Sequence, residues 1–339
     1  MMESVRMERT PAAAVMDSLL HGELVDRLQR LQVATSQNRG NPEFAHLLDE
    51  VDAALKRFEN RTFGLCETCH DPIEPERLLA DPLIRVCLGD LTDRQRNTLE
   101  NDLELAATIQ NGLLPRTDFI SDFAHVDFAY LPASIVSGDY VDVIPHDGEI
   151  YFILGDVSGK GMAASLLMSN LHAMFHSMVP LGLPLSELME RANRLFSEST
   201  LANQYATLIC GKINRNGEVE IANAGHLPPI LVTTGEKVAM ESAGLPLGLF
   251  CESNFAAMGF KLQPNETLLL YTDGVTEAND FDGGEFGVDR LIGSINGSAF
   301  GAPSDLIKNC LMAIDGFRGA AVRNDDLTLL ALKYTGEVN

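Results

Sequence analysis

Four short stretches in the second half of this 339-residue chain set an aspartate beside a glycine or a second aspartate. They are "SGDYVD" (Asp139, Asp142), "GDVSGKG" (Asp156), "YTDGVTEA" (Asp273) and "RNDDLT" (Asp325, Asp326). A single Asp-Gly pair is ordinary turn chemistry. Asp156 and Asp273, however, follow the apolar runs "YFIL" and "TLLLYT", so each carboxylate sits where a buried strand surfaces. Charges of one sign gathered there would repel one another unless hard divalent cations neutralised them. No His or Cys ligand set is evident in this half, and an aspartate-only sphere favours two Mg²⁺ or Mn²⁺ ions. Two such ions about 4 Å apart clamp a phosphoryl group and generate hydroxide between them, so no side-chain nucleophile is needed.

The stretch "LGDVSGKGMAASLLM" also invites a nucleotide reading, because a strand, a Gly-Lys turn and a helix describe a phosphate-binding loop. The spacing excludes it. Only three residues separate Gly155 from Gly159-Lys160, and Gly161 stands where a magnesium-binding hydroxyl belongs. Gly159 and Gly161 let the chain turn tightly into the helix. No arginine occurs between Arg116 and Arg191, so Lys160 is the nearest cation in sequence to these carboxylates. It is either a phosphate ligand or a solvated turn lysine. His226, in "NAGHLPP", has prolines behind it, which favours a structural hydrogen-bonding role over proton transfer.

A second constellation lies earlier. "CETC" and "CLGD" give C-x2-C-x17-C-x2-D, with Cys66, Cys69 and Cys87 as three thiolates at zinc-site spacing. Asp90 takes the fourth position, a harder ligand that can still complete a tetrahedron around one Zn²⁺. His70 competes for that place, but neighbouring side chains such as those of Cys69 and His70 rarely converge on one metal. Cys210, Cys251 and Cys310 stand apart in apolar settings and read as buried thiols.

These residues need elements to hold them. Leu20, Leu24, Leu28 and Leu31 form one helical stripe, and Phe44, Leu48, Val51, Leu55 and Phe58 form another. The breaker-rich "SQNRGNP" between them predicts an antiparallel helical hairpin. A third helix over 93–114 carries Leu99, Leu103, Ala106, Ile109 and Leu113 and stops at Pro115. Beyond it, β-rich runs such as "EIYFILGDV" and "LTLLALKY" surround two helices at about 161–179 and 185–199. This predicts an α+β layered domain. The expected organisation is a flexible N-terminus (1–14), hairpin plus finger (15–92), linker helix (93–115) and catalytic domain (116–339).

A formal charge of −23 weighs against nucleic acid as the main partner. No apolar run is long enough to span a bilayer, and the N-terminus lacks a basic region followed by a sustained apolar one. The expected location is cytoplasmic, with no membrane or nucleic-acid partner.

Two resemblances extend this reading. The segment "ALKRFENRTFGLCETCHDPIEPERLLADPLIRVCLGD", with the hairpin before it, resembles the DksA/TraR zinc-finger family. Asp90 departs from that family's pattern, and the tip "SQNRGNP" has no acidic residue, so the implied role is structural or sensing rather than polymerase-directed. The ordered set "GDYVD … GDVSGKGMAAS … NAGHLPP … GLPLG … YTDGVTEA … NDDLT" resembles the PPM-type Ser/Thr phosphatases, specifically the SpoIIE/RsbU branch. That resemblance implies an α-β-β-α sandwich, two stacked antiparallel sheets flanked by helices, with a binuclear metal centre at one edge. It implies that Asp156 bridges both metals, joined by the Val157 carbonyl on the first and by Asp139 and Asp273 on the second. Asp325 is implied as a further ligand, while Asp326 and Asp142 either orient a metal-bound water or cap turns. The implied reaction is attack of the bridging hydroxide on phosphoserine or phosphothreonine, with a phosphorylated STAS-domain anti-sigma antagonist as substrate.

"LENDLELAATIQNGLLP" resembles the linker helix of that branch. It pairs with a second copy as a coiled-coil homodimer or packs on its own domain; the dimer is the favoured expectation. The competing functional expectation is a transcription-associated zinc-finger binding protein with the phosphatase fold as scaffold.

Overall fold

The computed structural model describes residues 20–22, 24–25, 27–29, 31–32, 42–200, 204–233, 237–239, 244–251, 253–295 and 301–336. The proposed flexible segment 1–14 and the tip "SQNRGNP" (36–42) lie outside these, Pro42 excepted. Two compact units divide the chain, Met1–Asn101 and Asp102–Asn339.

In the first unit, the described residues between 20 and 32 are helical, as is α1 (Pro42–Glu59). Leu20, Leu24, Leu28 and Leu31 pack with Val51, Leu55 and Phe58, so the two apolar stripes do meet. Phe63, Cys66, Ile73, Leu78 and Cys87 close the same core from the loop-rich segment and the short α2 (Pro75–Ala80). Arg57 reaches out of α1 to donate to the carbonyls of Ile84 and Leu83, at 3.1 and 3.4 Å. That fastens the finger to the hairpin.

Helix α3 (Asp93–Asn111) begins in the first unit and ends in the second. It stops short of the expected 114. The amides of Gly112, Leu113 and Leu114 each bond a carbonyl three residues back, a tightened last turn. Leu114 then precedes Pro115, a position that disfavours helix.

The second unit is a four-layered sandwich. One sheet has five strands in the order β3-β4-β5-β6-β9: Asp139–His146, Glu149–Val157, Ala206–Asn214, Glu218–Ala224 and Ala257–Lys261. The other has six, in the order β1-β2-β11-β10-β7-β8: Phe119–Ile120, Ala124–Leu131, Leu327–Tyr334, Thr267–Tyr271, Ile230–Val232 and Lys237–Ala239. Every pairing is antiparallel.

Strand alternation explains the continuous apolar runs. In β4, Phe152 and Leu154 point between the sheets toward Leu268, Leu270, Leu330 and Leu332. Tyr151 and Ile153 point the other way, under α4 (Met162–Met178) and α5 (Leu185–Ser199). Leu329 and Ala331 of β11 likewise face α7 (Gly287–Ser294) and α8 (Pro303–Arg318), with α6 (Asp273–Thr276) the one-turn helix after β10. A central strand covered on both faces has no polar side to show. This α-β-β-α architecture matches the expected fold class. Helices α4 and α5 lie at the expected places, whereas α7, α8 and the short β7, β8 and β9 were not anticipated. Cys210 and Cys310 are buried as expected; Cys251 is exposed, contrary to its reading as a core thiol.

Candidate functional site

Asp139 opens β3 and Asp156 lies one residue from the end of β4, directly opposite it in the ladder. Their register puts both carboxylates at one end of the five-stranded sheet. Asp273 follows β10 at the start of α6, and Asp325 precedes β11, so the six-stranded sheet delivers its carboxylates to the same edge. Gly274 explains how closely these two chain segments approach. A Cβ there would stand 2.0 Å from the Asp326 carbonyl oxygen, so only glycine fits in "TDG".

The two sheets are tied together through Asp139. Its Oδ2 accepts from the hydroxyls of Thr272 and Thr328, and the Thr328 amide donates to the Thr272 hydroxyl at 3.0 Å. Neither threonine figured in the sequence reading. Both lie beside motif aspartates ("YTDG", "DDLT"), and strand alternation would have pointed them inward.

Electrostatics mark the same place. Burial, reinforced by Asp156, pushes the Asp139 carboxyl well above the usual range. Burial raises Asp156 to about 7, with repulsion from Asp273, Asp325 and Asp326 adding to it and Lys160 opposing. Burial and then Asp325 raise Asp273 in the same sense. Exposed Glu277, which sequence reading did not single out, is raised by burial and by Asp273. Carboxylates that hold each other's protons on are under-neutralised, the condition divalent cations relieve. No three of them come within 4.8 Å of one another among the described residues, a wider spread than a single-ion shell.

Gly138 shapes the approach. A Cβ at this position would lie 3.1 Å from the Val157 carbonyl oxygen and 3.7 Å from Asp156 Oδ1. The bare Cα thus leaves open a cradle lined by the backbone oxygen and the carboxylate expected to act together. An all-oxygen donor set of this kind fits Mg²⁺ or Mn²⁺.

Asp326 is a cap. Its Oδ1 accepts from the Ala133 amide at 2.7 Å and its Oδ2 from the Gly138 amide at 2.9 Å, which holds the loop before Asp139. Asp142 joins neither the carboxylate edge nor a turn cap of this kind, because odd spacing from Asp139 turns it to the helix-covered face. There it is 2.8 Å from both the Tyr140 hydroxyl and His176 Nε2.

Lys160 is exposed, and its Nζ donates to Asp325 Oδ2 at 3.0 Å and to the Asn324 carbonyl at 2.7 Å. It lines a cavity together with Glu277, Asp325, Arg318 and Arg323. The two arginines add positive charge that is near the site in space though not in sequence. They come from the end of α8 and the loop before β11, far from Asp139 in sequence. Their buried Nε atoms have no hydrogen-bond partner.

His226 is buried, and its surroundings fix its state. Nε2 lies 3.2 Å from the Tyr271 carbonyl, which can only accept, so this nitrogen carries the proton. Nδ1 then accepts from the Thr207 hydroxyl at 2.8 Å. Burial lowers its pKa to about 4. A neutral imidazole bridging β5 to the end of β10 is a structural hydrogen-bonding group.

In the first unit, Cys66, Cys69, Cys87 and Asp90 bring four ligand atoms within 4.8 Å of one another. Asp90 Oδ2 is 3.0 Å from Cys66 Sγ and 3.3 Å from Cys87 Sγ, and Cys69 Sγ is 3.6 Å from Cys87 Sγ. The three thiols hold the Asp90 carboxyl below its usual range. His70, with φ +63°, is not part of the group. Three sulfurs and one carboxylate oxygen fit a tetrahedral Zn²⁺.

Comparison with known proteins assigns a family model to a segment in each part of the chain. The family described as "Stage II sporulation protein E (SpoIIE)" matches residues 146–335, and "Prokaryotic dksA/traR C4-type zinc finger" matches 61–89. Protein IcfG of Synechocystis is 26% identical over 68% of this chain and 41% of its own length. Phosphoserine phosphatase RsbU of Bacillus subtilis is 25% identical over 75% of this chain and 78% of its own. The chain therefore spans less than half of the first of these relatives. The SiaA-PP2C domain of Pseudomonas aeruginosa superposes with a TM-score of 0.63 at 18% identity, covering 70% of this chain and 98% of that one, a likeness of fold.

Proposed function

The chain belongs to the SpoIIE family of PPM-type phosphatases, and on that premise we propose that it is a metal-dependent protein-serine/threonine phosphatase. The observation that carries this reading is the gathering of Asp139, Asp156, Asp273 and Asp325 at one edge of the sandwich, where burial, reinforced by repulsion from neighbouring carboxylates, raises the pKa of the first three. Asp139, Asp156, Asp273 and Asp325, together with the Val157 carbonyl, would hold two Mn²⁺ or Mg²⁺ ions. When bound, such a pair supplies Lewis acidity toward a phosphoryl oxygen and an activated water.

The chain's own residues do the rest. Thr272 and Thr328 orient Asp139 by donating to its Oδ2. Asp326 fixes the loop that presents Gly138 and Asp139. Lys160, Arg318 and Arg323 line the adjoining cavity and provide positive charge for the phosphate of a protein substrate. The substrate we favour is a phosphorylated STAS-domain antagonist of an anti-sigma factor, on the strength of the likeness to RsbU.

The cysteine knuckle would hold one Zn²⁺ and regulate the phosphatase through helix α3. Leu99, Leu105 and Ile109 of α3 are exposed, which supports pairing of this helix in a homodimer. No helix among the described residues is long and apolar enough to cross a membrane.

Hydrolysis of an aryl phosphate and of a phosphorylated STAS-domain protein tests the reading, with and without Mn²⁺. We expect Mn²⁺-dependent turnover that chelation and Asp156→Asn each abolish. Turnover indifferent to either change would overturn the mechanism. A folded, Mn²⁺-loaded protein inert on both substrates would favour the scaffold alternative.

A further inference from the structure

The outward-facing side of β3 carries a cluster that the phosphatase reading leaves unused. Asp142 lies under α4, in the layer of Tyr140 and Ile144. His172 and His176 stand one turn apart on α4, the i,i+4 spacing that sets two imidazoles on one helical face. His176 Nε2 is 2.8 Å from Asp142 Oδ2, and His172 Nε2 is 3.9 Å from the same oxygen. The two rings stack with centroids 4.1 Å apart. One ligand atom from each of the three residues lies within 4.8 Å of the other two.

We propose that Asp142, His172 and His176 form a binding site for a divalent transition-metal ion of the zinc class, separate from the carboxylate edge and from the cysteine knuckle. Two imidazoles, as borderline donors beside one carboxylate, favour Zn²⁺ over Mg²⁺. Neutralising Asp142 requires only one histidine; the second, brought alongside the first, adds a ligand rather than a needed counter-charge. The supporting contacts also suit a metal site. The Val143 amide donates to Asp142 Oδ1 and the Tyr140 hydroxyl to Oδ2, both at 2.8 Å, which immobilises the carboxylate.

Access is graded in a useful way. The side chain of Asp142 is 3% exposed, that of His172 19% and that of His176 45%. The site is anchored at its base and open at its rim, so an ion can enter and water can complete a tetrahedron. An ion held there would pin β3, which carries Asp139, to α4, which follows the Gly159–Gly161 turn. The expectation that the second half holds no histidine ligand set is thereby revised. The three residues are 30 and 34 positions apart in sequence, and only the packing of α4 on β3 unites them.

Zinc itself is the probe, on the full-length chain with Mg²⁺ in excess at the carboxylate edge. Zinc per chain is counted by mass spectrometry after equilibration with micromolar Zn²⁺, and melting temperature is followed in the same titration. His176→Arg keeps a cation against Asp142 but offers no ligand, and His172→Gln removes the other imidazole. Both variants retain the knuckle, so any zinc held there cancels in the comparison. We expect wild type to hold one zinc more than either variant. We also expect a zinc-dependent rise in its melting temperature, and affinity at this site at least about 100-fold weaker in the variants. Equal zinc per chain, or a zinc-dependent thermal shift as large in both variants as in wild type, would overturn the proposal and leave the cluster as an Asp–His hydrogen bond.

Discussion

Gly138 and His226 show how much of the candidate site depends on single residues that are not themselves ligands. The space beside Gly138 is bounded by Ala164 Cβ and the Val157 carbonyl, both 3.1 Å from an added Cβ. Gly138→Ala must therefore displace the loop or the Val157 carbonyl by a few tenths of an ångström. We expect kcat to fall by on the order of 100-fold, because reacting groups tolerate little misplacement. The melting temperature should change little, and steady-state kinetics beside thermal unfolding separates the two effects. His226 offers a test in pH. Its folded pKa, about 4, lies below the 6.5 of an unperturbed imidazole. Between those values the unfolded chain takes up a proton that the folded one refuses. Its contribution is fully present above pH 6.5 and is lost as pH falls toward 4, to a total of about 3 kcal/mol. Glutamine offers one donor and one acceptor but does not titrate. Denaturant unfolding of wild type and His226→Gln should then diverge below pH 6.5, with wild type losing more. Parallel curves would mean that the imidazole is charged in the folded state.

At the scale of elements, much was legible because the signals were local. β11 carries the run "LTLLALKY" to the residue, and the stripes of the first unit meet as their spacing demands. Motif aspartates are legible for a related reason: each follows or precedes a strand whose end the apolar run marks. The illegible parts are those made by packing between distant segments. Arg318 and Arg323 reach the cavity from the end of α8 and the loop before β11, and Thr328 finds Asp139 across 189 positions. Helix α8 itself was missed although Leu306, Ile307, Cys310 and Ile314 form its buried face, since no motif drew notice to the segment. The knuckle joins both kinds of information. Its spacing names three thiolates and offers Asp90 with His70 as competitor, and the fold brings Asp90 among the thiols and leaves His70 outside. Replacing the hard carboxylate by a fourth soft thiolate, Asp90→Cys, should tighten zinc binding at least about tenfold. Competition against a chromophoric chelator measures it, and an unchanged or weaker affinity would show that Asp90 does not face the metal.

Helix α3 is the element through which the whole molecule is expected to work, because it starts in one unit and ends in the other. Its last turn grips the catalytic edge. Gln110 is buried and uses both ends of its amide: Nε2 donates to the Ser137 carbonyl at 2.7 Å and to Ser165 Oγ at 3.1 Å, while Oε1 accepts from the Ser137 amide at 3.0 Å. Ser137 in turn precedes Gly138 and Asp139, and Ser165 lies on α4. A change in the position of α3 therefore has a direct mechanical route to the Asp139 loop. Gln110→Ala would leave the Ser137 backbone groups without partners, a loss of about 1–3 kcal/mol, and would free that loop. We expect it to lower kcat more than it raises KM, with metal content unchanged. The partner of α3 is tested at its far face, where Leu99→Glu with Ile109→Glu should convert a dimer to a monomer in sedimentation and lower activity with it. If the double variant stays fully active as a monomer, α3 does not transmit through pairing, and the Gln110 contact is a static brace of the phosphatase unit.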